Sequence, residues 1–171
     1  MASGKNPRAL LLEVLSLKNL PRTGWQLTHA PRESVAEHTY GTAIIALALA
    51  RMEKLKASDE AALIRIALLH DLHEARIGDL VPSQKRKQKP NEAKVERDML
   101  SGTLFEKEIK LLANKGRLRT LASDADRLDM LFRAIENKKK GSARMSVFID
   151  SALRGIKSRS GRELARLALE A

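Results

Sequence analysis

A histidine and an aspartate, His70 and Asp71, are adjacent within the segment 61–79, which otherwise has the pattern of a buried helix. Its apolar residues recur three and four positions apart, and the same face continues to His70 and then Glu74. Burying an imidazole and a carboxylate is costly unless each is hydrogen-bonded or bound to a metal. An HD dipeptide alone fits an ordinary core histidine as well as a metal ligand, so the choice depends on the rest of the chain.

The end of this helix adds another carboxylate. Gly78 follows the last periodic residue and can take the left-handed conformation that ends a helix. Asp79 is then expected on the loop at the mouth of the helix. Ser58 and Asp59 are suited to cap its beginning.

A second histidine lies near the start of another predicted helix. Ser34 and Glu37 have the spacing of a capping box, and the alanine- and leucine-rich run after them extends to about Leu55. His38 lies in the first turn, on a face that is apolar further along the helix. Two separate helices are therefore expected to direct a histidine toward the core.

A third predicted helix, 118–135, carries three acids among its apolar residues: Asp124, Asp126 and Asp129. Periodicity does not choose a metal ligand among them. Asp126 points away from the apolar stripe and faces inward only if this helix is covered on two sides.

Composition limits the chemistry. The chain has 171 residues and no cysteine, which excludes a disulfide framework and a thiolate site. Histidine, aspartate and glutamate remain as metal ligands, a set suited to Mn, Co, Ni, Zn or Mg ions. We expect one domain over residues 1–171, with a metal-site core at about 10–135 and C-terminal helices at about 142–169. No stretch reaches the roughly 18 apolar residues of a membrane span, so a soluble cytoplasmic protein is expected.

The charge balance favours anionic partners. Lys and Arg total 32 against 21 Asp and Glu, which gives a net charge of +11. The basic run Lys85–Lys89 is expected to be a solvated loop, with a phosphate-attracting rim or a targeting signal as alternatives. Aromatic residues make up only 3% of the chain, so stacking platforms for single-stranded nucleic acid are scarce.

The remaining periodicity predicts an all-α protein. No alternating strand pattern and no internal repeat is present. Arg22 to Trp25 is expected to be a loop after a first helix, with Trp25 either packed onto the core or serving a ligand together with its basic neighbour. Further helices are expected at 9–20, from 91 or 92 through 104, at 109–112, at 142–156 and at 161–169.

Taken in order, these pieces resemble the H…HD…D signature of the HD-domain metal-dependent phosphohydrolases, and more narrowly their 5'-deoxynucleotidase-like branch. The resemblance spans about residues 10–135. It rests on four segments: Arg22-Thr23-Gly24-Trp25, Ser34-Val35-Ala36-Glu37-His38, His70-Asp71-Leu72-His73-Glu74 with Ile77-Gly78-Asp79, and Ala125-Asp126-Arg127-Leu128-Asp129.

The resemblance implies a single-domain helical bundle and a set of site residues. It implies that one divalent metal ion is bound by His38, His70, Asp71 and Asp126. Glu74 and Asp79 match acidic positions beside the metal and the phosphate, either of which could move a proton. Arg22 and Trp25 match a nucleotide-contacting loop. For His73 we expect a pocket-lining or supporting role, with simple exposure as the alternative.

The function implied is release of phosphate from (deoxy)ribonucleoside 5'-monophosphates by a metal-activated water. The resemblance also suggests a homodimer. One alternative is an HD hydrolase of another nucleotide, such as a deoxynucleoside triphosphate, guanosine tetraphosphate or a cyclic nucleotide. The other is a basic, non-catalytic, helical nucleic-acid-binding protein, although neither nucleic acid nor a membrane is the expected partner.

Overall fold

The structure is a computed structural model that describes residues 6–113 and 115–170. Within those residues the chain forms α-helices joined by turns, a 3₁₀-helix (Ser16–Lys18) and one isolated β-bridge between Pro21 and Ser34. The all-α prediction is therefore confirmed. The helices are α1 (Pro7–Leu15), α2 (Thr23–Leu27), α3 (Val35–Met52), α4 (Ala57–Leu69), α5 (Glu74–Ile77), α6 (Pro82–Gln88), α7 (Glu92–Leu100), α8 (Glu108–Leu112), α9 (Arg117–Lys139), α10 (Met145–Gly155) and α11 (Arg159–Glu170).

Helix α9 is the centre of the packing. It contacts α3 and α4 as well as α10 and α11. Small side chains let these helices approach closely, and Ala125 and Ala134 have no exposed surface. Because neighbours cover α9 on more than one side, a residue off its main apolar stripe can also face the interior.

Helix α3 begins as the sequence predicts. The Glu37 amide donates a 3.2 Å hydrogen bond to Ser34 Oγ, and the Ser34 amide donates a 2.6 Å bond to Glu37 Oε2, which together form the capping box. His38, in the first turn, is fully buried. Its position in the core follows directly from where this helix starts.

The predicted continuous helix through His70 is wrong in one respect. α4 ends at Leu69, residues 70–73 form tight turns, and α5 then begins at Glu74. The His70 ring lies 2.8 Å from the Ala67 carbonyl oxygen, which a continuing α-helix would pair with the Asp71 amide. Gly78, at φ 78°, ends α5 as predicted.

The predicted cap of α4 is also wrong. Lys56, rather than Ser58 or Asp59, is the N-cap residue, and no side chain caps this helix by a hydrogen bond. Asp59 lies instead within the first turn, where its charge favours the positive end of the helix dipole.

Two segments expected as loops are helical. Trp25 lies within α2, and Arg22 is the N-cap residue of this helix. The helix can start here because the Asp79 carboxylate accepts a hydrogen bond from its first amide, that of Thr23. Most of the basic run lies in α6, with Lys89 in the left-handed conformation at its end.

The other helices keep their predicted order with shifted ends. The first runs over Pro7–Leu15 and continues as the 3₁₀-helix, and α7 ends at Leu100 rather than near 104. In the part of the chain that the structure describes, no helix combines the length and apolar content needed to cross a membrane.

Candidate active site

Four predicted metal ligands meet where α3, α9 and the turn after α4 converge. His38 Nε2 lies 3.3 Å from Asp126 Oδ1 and 3.7 Å from Asp71 Oδ2. His70 Nε2 lies 3.1 Å from the same Asp71 oxygen. The two imidazoles cross edge to face with centroids 5.6 Å apart. Residues separated by up to 88 positions in the sequence (38 and 126) thus direct nitrogen and oxygen atoms at one point.

The donor atoms at this point fit a divalent cation. His38 Nε2 and His70 Nε2 are both buried and have no hydrogen-bond partner. Ligand atoms of His38, His70 and Asp126 all lie within 4.8 Å of one another. Imidazole nitrogen and carboxylate oxygen together suit borderline and hard divalent metals, and an ion there would satisfy both orphaned nitrogens.

The opposite nitrogen of each ring is fixed by the protein. His38 Nδ1 lies 2.6 Å from Asp129 Oδ2, and His70 Nδ1 lies 2.8 Å from the Ala67 carbonyl oxygen. An N–H at each Nδ1 donates to these oxygens, so Nε2 is the nitrogen of each ring that is directed at the cluster. Gly41 makes the first contact feasible, because a Cβ at this position would clash with the Asp129 carboxylate.

The structure separates the three acids of α9 that periodicity left undecided. Asp126 points toward His38 Nε2, and Asp129 supports the far side of the same ring. Asp124 is fully buried elsewhere and accepts hydrogen bonds from the Lys157 amide at 2.9 Å and the Ser158 amide at 2.7 Å. Only Asp126 among them reaches the predicted ligand cluster.

Charge and burial perturb the cluster strongly. Burial by itself lowers the pKa of His70, but the charge of the Asp71 carboxylate, 3.1 Å away, raises that pKa to about 9. Asp71 responds oppositely: burial raises its pKa, but the charge of His70 outweighs burial and holds it well below its ordinary value. In the metal-free cluster we therefore expect His70 and Asp71 to form an ion pair.

Glu74 and Asp79 have different surroundings. Glu74 is 4% exposed and its Oε2 has no hydrogen-bond partner. Burial, followed by the charges of Asp71 and Asp79, raises the pKa of Glu74 to about 9. Asp79 Oδ2 instead accepts a 2.6 Å hydrogen bond from the Thr23 amide, and its carbonyl oxygen accepts a 2.5 Å bond from the Thr23 hydroxyl. Asp79 therefore caps α2 and holds the segment that carries Arg22.

The Arg22–Trp25 segment reaches the site through Arg22. Its guanidinium Nη1 lies 3.7 Å from Asp71 Oδ2. Trp25 is only 2% exposed: its Nε1–H donates a 2.6 Å hydrogen bond to Glu33 Oε2, and its ring centroid lies 4.6 Å from that of Phe148. Trp25 thus packs mainly as an anchor, the first of the two sequence-based alternatives, although it borders the cavity beside the cluster.

That cavity has a volume of about 760 Å³, within the roughly 300–1,000 Å³ range of small-molecule sites. Asp71, Asp126 and Glu74 line it. Apolar side chains from α2, α9, α10 and the segment before α6 also line it, among them Leu27, Leu80, Met130, Val147 and Phe148.

A family model described as HD domain matches residues 14–167, most of the chain. The chain belongs to the HD-domain family. Among curated relatives, it is 31% identical over 140 residues to 5'-deoxynucleotidase HDDC2 of Dictyostelium discoideum, which covers 72% of this chain and 73% of that protein. The family and enzyme class predicted from the sequence, an HD-domain phosphohydrolase, are therefore confirmed.

Solved structures share the fold of this HD domain. A conserved hypothetical protein from Pyrococcus furiosus is 29% identical, with a TM-score of 0.80 over 96% of this chain and 99% of that chain. The HD phosphohydrolase DatZ of cyanophage S-2L, solved with dA and one catalytic Zn²⁺ ion, is 16% identical, with a TM-score of 0.68 over 93% of each chain. At that identity the second comparison shows the fold alone.

Several supporting contacts of the HD-domain site were missed in the sequence. Gly41 interrupts a strong helix pattern one turn after His38, and such an interior glycine is a usable signal for close packing. Asp129 follows Asp126 by three positions on a helix, so the two acids share a side of α9. Glu33 and Phe148 have no local signal, because their contacts with Trp25 exist only after folding.

Proposed function

We propose that this HD domain is a divalent-metal-dependent 5'-nucleotidase that releases phosphate from (deoxy)ribonucleoside 5'-monophosphates. One observation carries the proposal. A single cavity is lined both by Asp71 and Asp126 of the cluster, together with Glu74, and by a set of apolar side chains. A nucleoside monophosphate has the matching division into a phosphate and a largely apolar nucleoside. The relative in Dictyostelium discoideum named a 5'-deoxynucleotidase supports the same substrate class.

The metal is proposed to be held by His38, His70, Asp71 and Asp126. Two imidazoles and two carboxylates leave coordination positions open for water and a phosphate oxygen. A bound divalent ion would lower the pKa of a water and neutralise charge on the phosphoryl oxygens. The chain's own contribution is orientation, since Asp129 and the Ala67 carbonyl fix the tautomers of the two histidines.

Glu74 is proposed as the group that moves the proton. Its Oε2 is buried and unpartnered, so it is available to a reacting water or to the leaving 5'-oxygen. Asp79 lines the same cavity but uses one oxygen to hold the Thr23 amide. We therefore assign Asp79 chiefly to positioning the segment that carries Arg22.

Arg22 is proposed to bind the phosphate. Its guanidinium is close to Asp71 and lines the cavity, where its fork of donors suits two phosphate oxygens. The nucleoside would then lie against the apolar side chains that line the cavity. Phe148 offers a partly exposed ring there, whereas Trp25 is almost wholly buried behind it.

The test is phosphate release from a panel of ribo- and deoxyribonucleoside mono- and triphosphates. Metal is first removed, and Mn, Co, Ni, Zn or Mg is then added singly. We expect metal-dependent release from monophosphates, reduced at least 100-fold in Glu74→Gln with little change in metal content. A matched control is Glu96→Gln, a carboxylate on α7 outside the cavity. Release from triphosphates alone, or from none of the panel, would contradict the proposal.

We further propose a homodimer. α11 exposes apolar side chains, with Leu167 47% and Leu169 51% exposed, which a second copy would cover. Light scattering across a dilution series should give twice the monomer mass, and Leu167→Lys should lower it. A monomer mass at every concentration would contradict the dimer.

A further inference from the structure

The basic run has one member that differs from its neighbours. Lys85, on α6, lines the cavity that contains Asp71, Asp126 and Glu74, and its side chain is 42% exposed. Arg86, Lys87 and Lys89 are exposed, and none of them lines that cavity. One cation of a run that otherwise faces solvent is therefore turned toward the candidate active site.

Glu92 holds Lys85 in this orientation. The Lys85 ammonium lies 2.8 Å from Glu92 Oε1, at the start of α7. The other oxygen of Glu92 lies 3.9 Å from Nε2 of His73, a buried histidine with no hydrogen-bond partner on either nitrogen. An ammonium has three N–H donors, so the bond to Glu92 leaves two that can reach into the cavity.

Lys85 interacts electrostatically with the carboxylates of the site. Glu74 has its pKa raised mainly by burial and by Asp71 and Asp79, and two cations, Arg22 and Lys85, oppose that rise. Burial lowers the pKa of Lys85 itself, but Glu92 first, and then Glu74 and Asp71, raise it. Lys85 is thus a charged group within electrostatic reach of the carboxylates that surround the proposed phosphate position.

We propose that Lys85 binds the phosphate of the substrate as a second cationic contact beside Arg22, and that Glu92 is the residue that positions it. This inference rests on the proposed function. A phosphate monoester dianion has three peripheral oxygens, and each of them can accept more than one contact. One guanidinium and one metal position therefore leave acceptor capacity for an ammonium. An ammonium on a flexible stem adds a point charge where bidentate geometry is already supplied by arginine.

The first test is orthophosphate binding to the metal-loaded 171-residue chain by calorimetry. Lys85→Gln should weaken binding roughly tenfold or more, because a hydrogen bond between two charged groups is lost. Lys87→Gln makes the same charge change on the same helix outside the cavity and should leave binding within about twofold. Lys85→Arg should recover most of the affinity.

The second test separates phosphate from nucleoside. In the hydrolysis assay Lys85→Gln should raise KM for a deoxynucleoside monophosphate by a similar factor. Inhibition by the free deoxynucleoside, which has no phosphate, should not change. Glu92→Gln should shift KM in the same direction by less, since it loosens Lys85 without removing its charge.

The outcomes distinguish this inference from the proposed function. If Lys85→Gln binds orthophosphate as tightly as Lys87→Gln does, or if the metal-loaded wild type binds none, the Lys85 contact is wrong. An equal loss of affinity for phosphate and for free deoxynucleoside would also overturn it, since that indicates a damaged pocket. If the wild type binds orthophosphate but hydrolyses no nucleotide, the proposed function fails, and the comparison of binding constants still decides the role of Lys85.

Discussion

Gly41 lies inside α3, where alanine would ordinarily be the more stable residue. Because glycine has no Cβ, the Asp129 carboxylate fits against this position, and that carboxylate in turn orients His38. We expect Gly41→Ala to displace that carboxylate and to lower metal affinity or turnover by roughly 10- to 100-fold, as loss of a residue supporting a metal ligand does. Metal titration and steady-state kinetics measure the effect.

A double-mutant comparison controls this prediction. In an Asp129→Ala background, Gly41→Ala should have little further effect on turnover, because its target is already absent. Additive losses in the double variant would show that Gly41 acts through something other than Asp129.

The metal-free cluster has a predicted pH dependence. The pKa of His70 is about 9 in the folded chain and 6.5 in the unfolded reference. The contribution of His70 to the free energy of unfolding is fully present below pH 6.5 and is lost as pH rises through 9. The free energy of unfolding of the metal-free protein should therefore fall over that interval by roughly a few kcal/mol. Urea unfolding of chelator-treated protein at several pH values measures it.

Bound metal should cancel that dependence. Because a metal competes with the proton on His70, the stabilisation by added metal should grow from pH 6.5 to 9. Stability of the metal-free protein that rises over this interval would contradict the ion pair between His70 and Asp71.

At the residue scale, the sequence predicted part of the site through spacing and part through resemblance. His38 and His70 follow from two helical faces that turn polar. Asp126 required the resemblance, since three acids share α9 and the helical wheel pointed it outward. The contact between Gly41 and Asp129 was missed, because these two residues lie 88 positions apart in sequence (41 and 129) and local patterns do not reveal such a contact.

At the scale of elements, Asp124 joins α9 to the start of α11. It is fully buried and accepts the Lys157 and Ser158 amides. Asp124→Ala should lower the free energy of unfolding by about 2–4 kcal/mol, because two buried amides lose a charged acceptor. Asp126→Asn is the matched variant two positions on, and it should abolish metal binding at a smaller cost in stability. Chemical denaturation and metal analysis of both variants measure these effects. The prediction is contradicted if Asp124→Ala abolishes metal binding, or if Asp126→Asn costs more stability than Asp124→Ala.

The α2 segment gives a second test at this scale. If Asp79 chiefly positions Arg22 through Thr23, Asp79→Asn should raise KM more than it lowers kcat. Glu74→Gln should do the reverse. A larger fall in kcat for Asp79→Asn than for Glu74→Gln would assign proton transfer to Asp79.

Elements were predicted well where an apolar stripe runs along most of the helix, as in α3 and α9. Prediction failed where side chains compete with the backbone. The His70 ring takes the Ala67 carbonyl and breaks the expected helix, and Asp79 caps α2 in a segment expected to be a loop. α6 was taken for a loop because a run of basic residues shows no apolar stripe.

At the scale of the whole molecule, the cavity depends on helices that the sequence places far apart. α2, α6, α9 and α10 each contribute to its wall. Their relative placement follows from packing on α9, which no local pattern specifies. From the sequence, the net charge of +11 indicates only that anionic partners in general are favoured. The structure adds that Arg22 and Lys85 bring part of this positive charge to the cavity.

The most direct measurement is turnover of a deoxynucleoside monophosphate as a function of metal bound per chain. Chelator-treated protein would be titrated with Mn or Co while released phosphate and bound metal are quantified together. A single catalytic ion at the cluster of His38, His70, Asp71 and Asp126 predicts activity that rises from near zero and saturates at about one bound ion per chain. Full activity in metal-free protein, or bound metal without any turnover, would contradict the account.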